Sequence, residues 1–455
     1  MSSSSSSTSS NDNGSGSGGG YGGAGSGRGE YEGPSRSRPR AINDVWPEPF
    51  LEALAAQAAI DAYRSAGRLA AAQAMANVFQ VCSTWRAVSR SDPLWQRLSR
   101  TVWGRTNLLR NTWRDEYIYR HQTALNFRTG RSTHFALRFD PSDVEDPNNP
   151  DALICRCLAL SDHHLACGFA DGAVRLFSLA TRLHVRTFRP HHRDQLGRFS
   201  RAVSGIVITR TRLVFATLDG DVHVAAMNSN GQPRRARLGD VLNDGALVDF
   251  TGSRQRWVGL YAGLPGRAFR VWDGNTEEPI FEGGSLTDPE AVMGWHTLTE
   301  LTDLVGRVRV TSRESAVACT SSRLMVFDLR NLGVILGEEE YRRGIIVSSF
   351  DVYDEAYIVV DGRGMASVRR VSNMEEVCRF SVRTQRAIMG CMNGGYALMC
   401  AGGMIRAWEI EQRGAYLYSF RERIGEVNAL VADERHVAAA SNETTIHLWD
   451  FGAEQ

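Results

Sequence analysis

One pattern returns seven times along most of this chain and constrains its fold more than any other feature. Its form is an apolar-Ala string, a turn and then an alternating strand, as in Leu165-Ala166-Cys167-Gly168 before Asp171-Gly172 and Val174-Arg175-Leu176-Phe177. Later copies include Phe215-Ala216-Thr217 before Val222-His223-Val224, and Val437-Ala438-Ala439-Ala440 before Ile446-His447-Leu448-Trp449-Asp450. The turns fall near residues 171, 219, 265, 322, 363, 402 and 442, spaced by 48, 46, 57, 41, 39 and 40 residues, a mean of about 45. Units of that length, each short of a buried face until it packs on neighbours, predict a closed ring of seven four-stranded blades, a β-propeller. The seventh unit runs out of sequence before an outer strand, and Thr133 to Phe139 precedes the first unit as an orphan alternating strand. That strand is expected to complete the last blade and remove a free sheet edge.

Composition narrows the chemistry. A 455-residue chain predicts about three units on length alone. With 42% hydrophobic and 23% charged residues most of it should fold, and a net charge of +1 supplies no global field for nucleic acid or an anionic membrane. All 52 basic residues are Arg. A chain without lysine has no side-chain amine for a Walker phosphate loop, a kinase ATP site or a pyridoxal Schiff base. The eight cysteines include no Cys-x-x-Cys pair, the chain opens without a signal segment, and no apolar run reaches about 18 residues, so a soluble protein with reduced thiols is expected.

Residues Ser2 to about Arg40 are Ser-, Gly- and Arg-rich with almost nothing apolar, which predicts a flexible tail. Arg36, Arg38 and Arg40 suit a weak import signal or a solvated linker equally. From Ile42 to Phe127 the spacing becomes helical. Pro47 suits a first turn, with Phe50, Leu51 and Leu54 on one face; Met75, Val78, Phe79, Cys82 and Trp85 predict a second helix, widened by Val81 and Val88 and stopped at Asp92-Pro93; Leu94, Trp95 and Leu98 begin a third element. The segment is too small and too apolar to stand comfortably alone.

Trp46 to Leu54, Val78 to Cys82, Trp85-Arg86-Ala87-Val88 and Asp92-Pro93-Leu94-Trp95 resemble an F-box, and Trp113-Arg114, Tyr119-Arg120-His121 and Asn126-Phe127-Arg128 resemble the linker helices that join an F-box to a WD-repeat propeller. An Ala-rich insertion, Gln57 to Ala74, separates the first helix from the second, and Trp46 stands where Leu is usual. Trp-Asp pairs survive at Trp272-Asp273 and Trp449-Asp450, with Phe327-Asp328 and Trp408-Glu409 as relics. The fold class is therefore α+β multidomain: a tail (1–41), an F-box helical domain (42–100), linker helices (101–131) and a seven-bladed all-β propeller (132–455).

Taken whole, Asn43 to Asp450 resembles plant members of that family, down to the string Thr287-Asp288-Pro289-Glu290-Ala291. The resemblance implies a nuclear regulator of flower and organ growth, with the cytoplasm a second compartment. Two roles are described for such proteins. One is the substrate-recruiting subunit of a Skp-cullin-F-box ubiquitin ligase; the other is a non-enzymatic transcriptional regulator or scaffold. In the first, Pro47, Phe50, Leu51, Leu54, Val81, Trp85, Leu94 and Trp95 would meet a Skp-type adaptor, some of them serving instead as internal core, and the adaptor would bring the cullin and RING subunits. The propeller would hold a protein substrate, transcriptional repressors among the candidates, on one rim; Arg198, Arg201, Arg267 and Arg363 lie near turns and either fork onto carboxylates or phosphates or are simply solvated.

Catalysis by the chain is not expected, nor any cofactor, direct nucleic-acid contact or membrane attachment. Cys155, Cys157, His163, His164 and Cys167 invite a zinc reading, but their spacing fits no finger or RING, and alternation puts Cys155 and Cys157 on one strand face as core. No G-x-S-x-G elbow accompanies His191-His192 or the scattered serines. The missing lysines would also shield a ligase subunit from its own ubiquitin transfer; a GC-rich gene explains the Arg, Ala and Gly equally well.

Overall fold

The structure, a computed structural model, describes residues 46–139, 153–190, 198–229, 231–286, 306–341, 347–382, 388–442 and 445–452. The expected tail and its Arg36, Arg38 and Arg40, the Thr287 to Ala291 string and His191-His192 lie outside the described residues.

The helical region comes first. It comprises α1 (Glu48–Ala66), α2 (Arg68–Phe79), α3 (Ser83–Ala87), α4 (Asp92–Trp103) and α5 (Trp113–Thr129). The Ala-rich stretch does not hold the first two helices apart, because Ala favours helix at every step and carries α1 through to Ala66. Only Gly67 stands between α1 and α2, at φ 90°, a value that a side chain disfavours. The run from Met75 to Val88 is not one helix as expected. It breaks after Phe79, Cys82 is extended, and Ser83-Thr84, residues that favour helix starts, open α3. Asp92-Pro93 then begins α4, where the Ser91 hydroxyl accepts the Leu94 N–H at 3.4 Å and Pro93 fits the first turn.

Leu51, Ala55, Ala59, Met75, Leu94, Trp95, Leu98 and Trp113 bury together between these helices. The Trp95 ring lies 5.1 Å from Tyr117 and its indole N–H donates to the Ser89 carbonyl at 2.7 Å.

The described strands that follow form seven four-stranded antiparallel sheets, each blade pairing consecutive strands from the innermost outward. The seventh is the informative exception. Thr133–Leu137 pairs with Ile446–Asp450 as its outermost strand, with His134 opposite Trp449 and Leu137 opposite Ile446. The orphan strand thus closes the ring as expected. Trp272, Phe327, Trp408 and Trp449 each stand near the end of a blade's third strand and are buried between blades, so the relics keep the packing role of the full pairs.

Cys155 and Cys157 do not share a face. The pairing of Cys155–Leu160 slips between them, so the bulge at Arg156 turns Cys155 toward the seventh blade and Cys157 toward the second. Neither forms a disulfide, Cys155 is buried and Cys157 half-buried, and burial raises the pKa of each, as expected of structural cysteines. Among the described residues there is no group of three or more His, Cys, Asp or Glu able to hold a metal.

Candidate interaction surfaces

The topology sorts the turns onto two rims. Counting outward in a blade, the first and third turns share one rim, while the second turn and the crossover to the next blade share the other.

The helices occupy the first rim. The Arg68 backbone N–H donates to Glu411 at 2.9 Å, its Nε lies 3.2 Å from the same carboxylate, and Nη1 lies 2.9 Å from Glu434. Glu411 lies in the third turn of blade 6 and Glu434 in the first turn of blade 7. Burial pulls the Arg68 pKa down, but Glu434 and Glu411 outweigh it, so the guanidinium stays charged beneath Trp103. A side chain at Gly67 would collide with Glu411, which joins the break between α1 and α2 to this clamp. Farther along, Phe127 of α5 stacks on Phe451 at 3.7 Å and on Tyr396 at 5.3 Å, Asn126 Nδ2 donates to the Phe451 carbonyl at 2.7 Å, and the Tyr396 hydroxyl donates to the Ala124 carbonyl at 2.8 Å.

The eight adaptor candidates divide by exposure. Phe50 and Leu54 are 45% and 39% exposed, four residues apart on α1, and Val81, beyond α2, is 61% exposed. Pro47 is exposed and Trp85 is half-buried against the helical core. Leu51, Leu94 and Trp95 are core and meet no surface. The helices that expose the first set are held in place by the second.

The opposite rim carries the arginines singled out for substrate, together with the short helix Val241–Asp244 and the 3-10 turn Arg198–Arg201 among the described residues. Arg201 lies in the crossover to blade 2, Arg267 in the second turn of blade 3 and Arg363 in the second turn of blade 5. Arg198 opens the 3-10 turn Arg198–Arg201, its side chain outside the described residues. Arg267 pairs with Glu282 at 3.2 Å and donates to the Asn243 carbonyl at 3.0 Å. Beside it sits Arg270, which sequence reasoning missed. Its fork meets both oxygens of Asp244 at 2.8 Å and reaches Glu282 at 2.6 Å; the hydrogen bond from Arg270 is the main reason the Asp244 carboxyl titrates below its ordinary range. Arg363 borders a groove of about 610 Å³ between blades 4 and 5, with Tyr341, Val359 and Met365.

A ring of seven four-stranded blades whose N-terminal helices pack on one rim at blades 6 and 7 belongs to the β-propellers. No family model matches the chain. In fold it is similar to the β-propeller domain of Cps50 (Swd1) from Myceliophteria thermophila, at TM-score 0.51 and 13% identity over 70% of this chain and 99% of that one. Over 428 residues, 92% of this chain and 95% of the relative, it is 65% identical to the transcriptional regulator Sterile apetala of Arabidopsis thaliana. The chain belongs to the Sterile apetala family.

Proposed function

We propose that the protein is a nuclear, non-catalytic transcriptional regulator that acts by holding other proteins, with the rim opposite the helices as its cargo surface and the helical region as a dock. The observation that carries this is the 65% identity to a relative named as a transcriptional regulator, over nearly the whole folded chain. The fold supports it, because a propeller presents turns from several blades on one face and is a platform for protein contacts. Tethering the full chain at a reporter promoter tests the reading. A change in transcription that charge reversal at Arg267 and Arg363 abolishes is the expected result; an unchanged reporter overturns it.

A second reading has its own support. In it the helices take a Skp-type adaptor, and through it cullin and RING subunits, while the rim takes a protein substrate that regulates organ growth or flower development. The support is the exposure of Phe50 and Leu54 on α1 and of Val81 just beyond α2, apolar side chains beside a packed helical core. Co-expression with the adaptor separates the readings: a stoichiometric complex favours the ligase subunit, and a chain indifferent to the adaptor favours the scaffold.

A further inference from the structure

The rim that carries the helices also holds a pocket of about 310 Å³ between blades 2 and 3, away from the two blades that Arg68 and Phe127 engage. Its walls are the first turns of these blades, residues 209–211 and 253–255, and its polar lining includes Arg210, Arg212, Arg254, Thr211 and Ser253. Among the described residues no acidic side chain lines it.

The turn that carries Arg254 is fixed from two sides. The Ser253 hydroxyl accepts the Gln255 and Arg256 N–H groups at 3.2 and 3.3 Å, and the Gly274 N–H, at the start of the third turn of blade 3, donates to the Gln255 carbonyl at 2.6 Å. A side chain at Gly274 would collide with the Arg254 carbonyl, so glycine lets the two turns close this tightly. Trp257, 3% exposed and packed in the core between blades 2 and 3, adds a rigid apolar wall.

Positive charge is in excess here. Arg210 shares Asp162 with Arg105, at 3.9 and 3.7 Å, and Arg212, at 3.8 Å, shares Glu277 with Arg234. Two carboxylates thus answer four guanidiniums, and the exposed Arg254 side chain has no ion pair or hydrogen bond among the described residues. A guanidinium offers only donors, and the Thr211 and Ser253 hydroxyls can donate as well.

We propose that this pocket binds the phosphoryl group of a phosphorylated side chain on a partner protein. A dianion with three acceptor oxygens matches three guanidiniums in one pocket better than a lone carboxylate does. The volume is at the small end of ligand pockets, and Asp162 and Glu277 at its margins would repel a continuous polyanion, which favours one phosphorylated residue over a nucleic-acid strand or an anionic membrane. The inference does not rest on the cargo surface above, which lies on the other rim, nor on which partner the helices take.

Fluorescence polarisation of the full chain with degenerate pools of short labelled peptides tests it, each pool carrying a central phosphoserine or phosphotyrosine or its unphosphorylated parent. The expected result is binding about tenfold tighter or more for a phosphorylated pool, and a loss of about tenfold in Arg254→Gln. That variant removes an exposed side chain without a described partner and should melt within about 2 °C of the parent. Arg212→Gln should weaken binding by a comparable factor, whereas Arg413→Gln, which removes an exposed charge from the third turn of blade 6 on the same rim, should leave it unchanged. Equal binding of the pools, full binding by Arg254→Gln, or an equal loss in Arg413→Gln overturns the proposal. So does competition by inorganic phosphate as strong as that by the unlabelled phosphopeptides, or tighter binding of a labelled single-stranded oligonucleotide.

Discussion

The helical region and the ring solve the same problem in opposite ways. Every blade finds its second face on a neighbour, and the first strand after the helices closes the circle, so the ring closes on itself with Phe127 of α5 added to the core between blades 6 and 7. The five helices bury a core of their own but lean on the ring through Arg68 and Phe127 while leaving Leu54 and Val81 in water. Self-sufficiency in one part permits incompleteness in the other: a rigid disc supports a small helical surface that would be marginal alone.

The sharpest way to break this comparison is Arg68→Ala. It strands Glu411 and Glu434 at a buried joint and should cost about 3–5 kcal/mol, read as a lower melting temperature and as protease cutting between α1 and α2 while the ring resists. Leu51→Ala should cost about 3 kcal/mol by opening a cavity in the helical core, measured by denaturant unfolding. Within the ring, Gly205→Ala drives a methyl group into the Phe250 backbone of the next blade and should cost about 2 kcal/mol or more. Leu54→Ala sharpens the contrast with Leu51: stability should change by no more than about 0.5 kcal/mol, while any complex made through the helices weakens, as a pull-down would show. The smallest effect is at the seam. His134 and His447 meet at 3.0 Å between the closing strand and its partner, and burial with the His134 charge pushes His447 down to about 4. Their folded pKa values lie below the unfolded value near 6.5, so the unfolded chain binds more protons in between, and stability should decline as pH falls from about 6.5 to about 4. His447→Gln should flatten that slope in a melting series.

Much of the ring was legible because each blade repeats the same local instruction, and strand Thr133 to Leu137 was placed by what the seventh blade lacked. The arginines near turns were legible as such, but the rim they share becomes visible only once each turn has its place in a blade. Bulges were not legible: nothing in Cys155-Arg156-Cys157 distinguishes plain alternation from the slip that sends the two thiols apart. The Arg68 clamp was hidden for a different reason, because its partners lie 343 and 366 residues away and only the finished ring brings them under α2. Leu51 and Phe50 look alike in sequence; which one is core depends on where α4 and its Leu94 and Trp95 cross, a tertiary fact.

The seam has a consequence for how the molecule is made. Thr133 to Leu137 leaves the ribosome more than 300 residues before Ile446 to Asp450, and α5, next to it in the chain, stacks Phe127 on Phe451 just past that same late strand. During synthesis the early strand and the helices must therefore wait together for the final blade, and the circle locks and the helices seat in one late event. A fault in the last thirty residues would strike the beginning of the protein as hard as its end.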